Sequence, residues 1–242
     1  MSAPKSPASH EVLIFTSTPN EFRSVSQSVG RQGFKKLSCS VIDCGPGRIN
    51  ATFGATKELI PRITAKKPPL VMIGTGTSGS LSLKLRHGDT VVSNGAVISD
   101  WRMEKGPEVT VSPYGWFDYQ PPEPQQVEKM TIYCQDDLVV NLLDKLPTND
   151  FIRGNLLTSE AFVSGTDHKL NLGATFNCLA CDMESGVYAF IGNSLLKVPW
   201  FNLRIVADTL DDTIHDYFAK ERDMTEILGG KIVETLKILD TM

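Results

Sequence analysis

Short apolar runs and longer amphipathic stretches alternate along the chain. The apolar runs predict strands at 11–16, 37–44, 70–73, 90–98, 151–158, 176–181 and 198–207. The amphipathic stretches predict a helix that is capped by Ser17 or Thr18 and ends near Gly30, and further helices at 49–62, 136–146, 184–196 and 212–239. Strands that alternate with helices are typical of α/β domains with a central sheet, so we predict an α/β fold.

The composition favours one globular domain. The chain has 242 residues, of which 41% are hydrophobic and 21% are charged, and these values suit a sizeable buried core. Residues 1–10 are polar and rich in proline and serine, so we predict a disordered tail at 1–10 and a single domain at 11–242. The tail lacks the apolar segment of a secretory signal, and no apolar run is long enough to span a membrane. We therefore expect a cytoplasmic protein with no membrane partner.

Charge and cysteine content exclude several classes of function. A net charge of −4 disfavours a nucleic-acid groove, which needs a positive field, so we expect no nucleic-acid partner. The five cysteines are an odd number without an export signal, which disfavours a disulfide framework. Cys178 and Cys181 form a C-x-x-C pair, but a zinc site would need a second pair or suitably spaced histidines. We predict buried, inert thiols and no bound metal.

The segment Gly74–Gly79 follows an apolar strand and is rich in glycine and hydroxyl side chains. We predict a tight turn, where glycines let backbone amides approach an anion or a sugar closely. The segment is not a phosphate-binding Walker loop, because no Lys-Ser/Thr follows its last glycine. It matches G-x-G-x-x-G, yet a dinucleotide site would need a helix directly afterwards, and residues 81–86 lead into a turn. A turn without any ligand remains the alternative.

Three carboxylates lie where predicted strands end, and the carboxyl ends of strands are where α/β sheets bind ligands. They are Glu21, Glu184 and Asp208. Each also has a purely structural interpretation: Glu21 and Glu184 as first-turn helix carboxylates, and Asp208 as a cap. Arg204 lies inside an apolar strand and needs a partner, for which Glu184 is a natural candidate.

Together these fragments resemble one family. Their order is a strand followed by a glutamate at the next helix start, a G-x-G segment, Asp182-Met183-Glu184 after a strand, and the R-x-x-x-D strand end from Arg204 to Asp208. The chain resembles the nucleoside phosphorylase/uridine phosphorylase superfamily from about Val12 to the C-terminal helix. Within it, the chain is most similar to 5'-methylthioadenosine/S-adenosylhomocysteine nucleosidases. The resemblance implies a three-layer α/β/α domain with a central mixed, twisted sheet, no cofactor, and a homo-oligomer, with a dimer favoured.

The resemblance also implies roles for the three acids. Glu21 matches the residue that activates the attacking water, and Asp208 matches the acid that protonates the purine at N7. Glu184 matches the carboxylate that binds the ribose 2' and 3' hydroxyls. Breaking an N-glycosidic bond leaves negative charge on the base, so a proton delivered there lowers the barrier.

The other predicted site residues bind the small-molecule nucleoside. By the resemblance, Phe162 stacks on the base, Val163 reads the purine edge through its backbone, and Met183 packs against the sugar. The remaining predicted substrate-binding residues are Thr77, Ser78, Gly79, Asp182 and Arg204.

The resemblance favours a hydrolase that releases a purine from a nucleoside of the 5'-methylthioadenosine or S-adenosylhomocysteine type. Phosphorylases of the superfamily carry an arginine just before the glycine segment, where this chain has Gly74. A phosphorylase remains the alternative, because Arg23 lies in the first loop. Three departures leave the substrate open: Ala207 in place of a serine, Glu160 in place of an aspartate, and an aromatic-rich loop at 101–124.

Overall fold

A computed structural model describes residues 10–100, 102–105, 108–111 and 130–242, with side-chain surroundings for 10–100 and 130–242. Residues 1–9 of the predicted tail and most of the loop 101–124 lie outside the described residues. The strands are β1 (His10–Thr16), β2 (Leu37–Asp43), β3 (Val71–Ser80), β4 (Thr90–Ser93), β5 (Gly95–Ile98), β6 (Arg102–Lys105), β7 (Glu108–Val111), β8 (Ile132–Tyr133), β9 (Ile152–Arg153), β10 (Leu156–Thr158), β11 (Ala180–Asp182) and β12 (Trp200–Asp208). Strand β1 begins at His10, one residue before the predicted domain boundary.

The helices are α1 (Pro19–Gly30), α2 (Arg48–Thr64), α3 (Asp137–Lys145), α4 (Thr166–Phe176), α5 (Ser185–Phe190) and α6 (Ile214–Thr241). Helix α5 continues as a π-helical segment, Ile191–Leu196. Thr18 caps α1 in a capping box with Glu21, as the sequence predicts.

Strand β3 is the centre of a ten-stranded mixed sheet. It pairs in parallel with β12 along one side, and with β1 over the first half of its other side. Its last two residues pair antiparallel with β11, which continues the sheet to β10 and β5. On the far side of β12, β4 runs antiparallel. Strands β6 and β7 form a separate antiparallel pair.

Helices lie on both sides of this sheet and complete a three-layer α/β/α fold, which confirms the predicted fold class. Helix α1 packs against α6, and α2 packs against α5. Strands β1, β3 and β12 form the buried core, with Ile14, Ile73 and Leu203 fully buried. No helix of the described residues is both long and apolar enough to cross a membrane.

Several predicted elements need correction. The glycine segment Gly74–Gly79 is not a turn, because it pairs with β12 as part of β3. The predicted strand 90–98 is two strands, since β4 pairs with β12 whereas β5 pairs with β10. The predicted strand 151–158 is likewise split into β9 and β10. Helix α4 was not predicted, and Phe176, predicted as the start of a strand, is its last residue.

Candidate active site

All the predicted site residues line one cavity of about 330 Å³ at the carboxyl ends of β3 and β12. Glu21 comes from the first turn of α1, Glu184 from the junction of β11 and α5, and Asp208 from the end of β12. Because β1, β3 and β12 are mutually parallel, their ends meet at one edge of the sheet. A larger cavity of about 480 Å³, lined by residues 131–136 and parts of 192–199, contains none of the predicted site residues.

Glu21 is buried and its carboxylate accepts hydrogen bonds on both oxygens. Oε2 accepts from the backbone amides of Ser17 at 2.9 Å and Thr18 at 3.1 Å. Oε1 accepts from the backbone amide of Thr77 at 2.8 Å and from the Thr77 hydroxyl at 3.0 Å. Burial raises the pKa of Glu21, and the charge of Arg204 opposes that rise. Every protein partner of Glu21 is a donor, which favours the ionised form.

The two carboxylate oxygens of Glu184 are buried and have different partners. Its Oε1 accepts from the backbone amide of Gly47 at 2.8 Å, and its Oε2 lies 3.2 Å from Arg204 Nη1. Arg204 also pairs through Nε with Asp182 Oδ2 at 2.9 Å. The predicted pairing of Arg204 with Glu184 is therefore confirmed, and Asp182 shares it. Burial raises the pKa of Glu184 to about 7, against the opposing charge of Arg204.

Asp182 directs its carboxylate into the protein. Besides Arg204, it accepts from the Thr158 hydroxyl at 2.9 Å and from the backbone amides of Glu184 at 3.1 Å and Ser185 at 3.0 Å. The Ser185 hydroxyl also donates to it. With its oxygens occupied in this way, the predicted substrate-binding residue Asp182 serves in this structure to hold Arg204 and the start of α5.

Asp208 also lines the cavity and is ion-paired with a buried lysine. Its Oδ2 is 2.6 Å from Lys169 Nζ, and the Lys169 side chain is fully buried. Burial raises the pKa of Asp208, and the hydrogen bond and charge of Lys169 oppose that rise.

The glycines of β3 leave space for these charged groups. A Cβ atom on Gly76 would lie 2.6 Å from Arg204 Nη1 and 2.8 Å from Glu21 Oε1. A Cβ atom on Gly79 would lie 2.7 Å from Asp208 Oδ2. The close approach that the sequence predicts for these glycines is thus made by the protein's own side chains, and a larger residue would displace them.

An aromatic wall closes the cavity on the side of α6. Phe162 and Tyr217 meet edge to face with ring centroids 5.9 Å apart, and Tyr217 meets Phe218 in the same way at 5.4 Å. The Tyr217 hydroxyl is 3.0 Å from the Thr77 hydroxyl. Phe162 is 38% exposed and Phe218 is 65% exposed, so apolar surface remains available to a ligand at the cavity mouth.

The two thiols of the C-x-x-C pair are free and buried, as predicted. Burial raises the pKa of both, that of Cys181 to about 12, which disfavours the reactive thiolate at neutral pH.

Glu160, which departs from the family pattern, forms a salt bridge outside the cavity with Arg48 at 2.7 Å.

Comparison with known proteins decides the family. The profile of the phosphorylase superfamily matches residues 11–236, nearly the whole chain. The chain belongs to the phosphorylase superfamily. Solved structures of this superfamily fold include a Helicobacter pylori 5'-methylthioadenosine/S-adenosylhomocysteine nucleosidase, with a TM-score of 0.72 and 15% identity over 95% of this chain and 99% of that one.

Two further structures are similar to this phosphorylase-superfamily chain. A futalosine hydrolase of H. pylori has a TM-score of 0.72 and 16% identity, covering 96% of this chain and all (100%) of that one. The 5'-methylthioadenosine/S-adenosylhomocysteine nucleosidase of S. pneumoniae, solved with a transition-state inhibitor, has a TM-score of 0.73 and 16% identity, covering 95% and 99%. At these identities the similarity shows the fold.

Three residues of this superfamily member's site were missed at the sequence level: Lys169, Tyr217 and Phe218. Lys169 carried a usable signal, because Leu172 and Phe176 follow it at helical spacing and all three are buried on one face of α4. Tyr217 and Phe218 carried none, since Tyr217 reaches Phe162 and Thr77 from a distant segment of the chain and Phe218 packs on Tyr217.

Proposed function

We propose that this phosphorylase-superfamily protein is a purine nucleoside N-ribosyl hydrolase. The observation that carries the proposal is that three buried carboxylates, Glu21, Glu184 and Asp208, line a single cavity with an apolar aromatic wall. The cavity volume of about 330 Å³ is in the range of small-molecule sites. Cleavage of an N-glycosidic bond needs an acid for the leaving base, a group that holds the sugar, and a group that orients the nucleophile.

Asp208 is proposed as the acid that protonates the purine at N7. Burial favours its protonated form, as this role requires. As the C1'–N9 bond breaks, its electron pair moves onto the base, and the proton of Asp208 forms the new N7–H bond. Phe162 and Val163, which line the same cavity, are proposed to stack on the base and to read its edge.

Glu184 is proposed to bind the ribose 2' and 3' hydroxyls. Gly47 and Arg204 each occupy one of its oxygens, so further acceptor sites remain for two sugar hydroxyls. Met183 lies beside it along the cavity, half-buried, where it can cover the sugar.

Glu21 is proposed to orient the attacking water. Its acceptor sites are filled by the amides of Ser17, Thr18 and Thr77 and by the Thr77 hydroxyl. The Thr77 hydroxyl can donate to Tyr217 instead, at 3.0 Å, and this frees one acceptor site on Glu21 for a water proton.

Water is favoured over phosphate by the charge of the cavity. Among the described residues, Arg204 is the one lysine or arginine whose side chain lines it, and Asp182 and Glu184 already pair with Arg204. Arg23 is exposed and outside the cavity lining, and Arg48 is paired with Asp100 and Glu160. A phosphate dianion would also have to approach Glu21. One observation supports a phosphorylase as the second candidate: Nη2 of Arg204 is buried without a hydrogen-bond partner.

The substrate proposed is a nucleoside with an apolar 5' substituent, of the 5'-methylthioadenosine or S-adenosylhomocysteine type, which would place the reaction in methionine salvage in the cytoplasm. The exposed apolar surface of Phe218 and Ile214 at the cavity mouth supports an alkylthio group at this position. The names of the similar structures include both such nucleosidases and a futalosine hydrolase, so futalosine belongs in any substrate test.

The proposal is tested by base release from 5'-methylthioadenosine, S-adenosylhomocysteine, adenosine, inosine and futalosine, measured by chromatography. For Asp208→Asn we expect turnover to fall about 100-fold or more, because the acid is lost, while binding of a non-hydrolysable analogue is kept. Asp167→Asn, an exposed carboxylate in α4, is the matched control and keeps full turnover. Near-normal turnover of Asp208→Asn would remove Asp208 from the proton-donor role.

A further inference from the structure

Lys169 is a buried cation that lies behind the cavity and is not among its lining residues. Its side chain is fully buried on the same face of α4 as the apolar residues Leu172 and Phe176. An aliphatic side chain there would avoid the cost of removing an ammonium group from water. Lys169 donates instead to Asp208 Oδ2 at 2.6 Å and to the backbone carbonyl of Thr209 at 2.5 Å.

This geometry fixes one edge of the Asp208 carboxyl group. Lys169 donates to Oδ2. Gly79 packs directly against the Asp208 carboxyl group, which has room there because glycine has no side chain. Thr209, the next residue in the chain, is tied to the same ammonium through its carbonyl. The Oδ1 atom is therefore the one that remains to face a ligand in the cavity.

We propose that Lys169 is a positioning residue that sets the acidity of Asp208 and orients its free oxygen toward the leaving base. The inference rests on the proposed function, since it assigns a partner to the same acid. In the step, the O–H bond of Asp208 breaks and the N–H bond of the base forms, while the electron pair of the O–H bond stays on Asp208. The resulting carboxylate is stabilised by the Lys169 ammonium, which keeps all three of its protons.

Other charged and titratable groups also act on Asp208, so the effect of Lys169 must be separated from theirs. His87 opposes the rise of the Asp208 pKa, and Asp212 adds to it. Asp212 is itself paired with His87 at 2.6 Å and with Lys220 at 3.0 Å. Cys181 lies in β11, on the other side of β3 from Asp208. Lys169 is the only one of these groups recorded in direct contact with the Asp208 carboxyl among the described residues.

The test is the pH dependence of kcat/KM for Lys169→Met and Lys169→Arg, with the nucleoside of the panel above that the wild type cleaves fastest. Removing the positive charge raises the pKa of Asp208, so the protonated acid persists to higher pH. For Lys169→Met we expect the high-pH limb of the profile to move up by about one unit or more. We also expect kcat to fall about tenfold or more at low pH, because a weaker acid protonates the base less well, with KM nearly unchanged.

Lys169→Arg keeps the charge, so its limb stays close to that of the wild type. A Lys169→Met enzyme that loses activity equally at every pH, with the limb unmoved, would overturn the inference and leave Lys169 a packing residue. A second measurement needs no substrate: the ¹³C chemical shift of the Asp208 carboxyl carbon is followed across pH by NMR. The signal is assigned by its absence in Asp208→Asn. A titration midpoint in Lys169→Met that equals that of the wild type would also overturn the inference. If Lys169→Met does not fold, Lys169→Gln, which donates without charge, replaces it in both measurements. Activity retained by Asp208→Asn would instead refute the proposed function.

Discussion

At the scale of single residues, the three cavity acids need opposite protonation states. The proposed roles of Glu21 and Glu184 need carboxylates, which accept hydrogen bonds from water or sugar hydroxyls, whereas Asp208 must keep a proton. Burial raises the pKa of all three, and only Asp208 benefits from that rise. Arg204 opposes the rise for the two glutamates, and Lys169 opposes it for Asp208, so each side of the site has its own buried cation.

The role of Glu184 predicts a pH effect. Since its pKa is raised to about 7, its ionised form is lost as the pH falls through that value, and with it the acceptor for the sugar hydroxyls. We expect KM for a ribonucleoside to rise as the pH falls below about 7, measured from initial rates across pH. A KM that stays flat down to pH 5 would contradict this role.

Replacement of the carboxylate tests the same role at fixed pH. We expect Glu184→Gln to lower kcat/KM for a ribonucleoside about 10- to 100-fold, since hydrogen bonds to a charged group are worth about 1.5–3 kcal/mol. The loss is smaller for the 2'-deoxy analogue, which lacks one of the hydroxyls. Glu226→Gln, an exposed glutamate of α6, is the control. Equal losses on the two sugars would rule out hydroxyl binding by Glu184.

The positions of these acids could be predicted from the sequence, whereas some of their partners could not. Glu21, Glu184 and Asp208 follow strand ends, and parallel strands bring such ends together whatever their order. Lys169 contacts Asp208 across 39 residues, and Tyr217 contacts Thr77 across 140. No local pattern encodes contacts of that range. The helical spacing of Lys169 with buried apolar residues was therefore the one local signal for these partners.

At the scale of secondary structure elements, β3 shows how tertiary pairing overrides local preference. Glycine-rich sequence favours turns, yet Gly74–Gly79 is paired with β12 on one side, and its end with β11 on the other. The glycines are needed because Asn202, Arg204 and Asp208 press against their faces. Helix α4 was not predicted, although Leu172 and Phe176 have helical spacing, because the other two residues of its buried face, Lys169 and Gly173, are not typical core residues.

Gly79 offers a direct test of this packing. For Gly79→Ala we expect a cost of about 1–3 kcal/mol in the free energy of unfolding, from overpacking against Asp208. We expect turnover to fall about 100-fold, because the acid is displaced from its working position. Urea unfolding and base release measure the two effects.

Gly230→Ala is the matched control, since Gly230 lies in α6 and an added Cβ would meet nothing within 4 Å. This variant should gain about 0.4–1 kcal/mol in stability and keep its turnover. Wild-type turnover in Gly79→Ala would show that β3 does not position Asp208.

At the scale of the whole molecule, the alternation of strands and helices was enough to predict an α/β fold, but the strand order was not predictable. The order depends on which strands pair across the sheet, and β4 and β5 pair with different partners although they are separated by one residue.

The oligomer likewise depends on contacts that no local sequence pattern encodes, and we propose that it is a homodimer. Helix α2 presents Ile49, Phe53 and Ile60 on one face, and they are 81%, 69% and 52% exposed.

This apolar face predicts the effect of a charge on assembly. We expect the wild type to sediment as a dimer and Phe53→Glu to sediment as a monomer, because burying a carboxylate between two copies is costly. Lys145→Glu, an exposed position on helix α3 and not on this face, should leave the dimer intact. Analytical ultracentrifugation distinguishes the species. A monomeric wild type, or a Phe53→Glu variant that stays dimeric, would contradict an interface at this face.

The central claim is that the three acids release a purine base by adding water. The most direct measurement is base release from the five nucleosides of the panel, in buffer freed of phosphate and again with millimolar phosphate, with the sugar product identified by mass spectrometry. We expect the same turnover in both buffers and a free sugar as product. Turnover that requires phosphate and yields the sugar 1-phosphate would contradict the central claim.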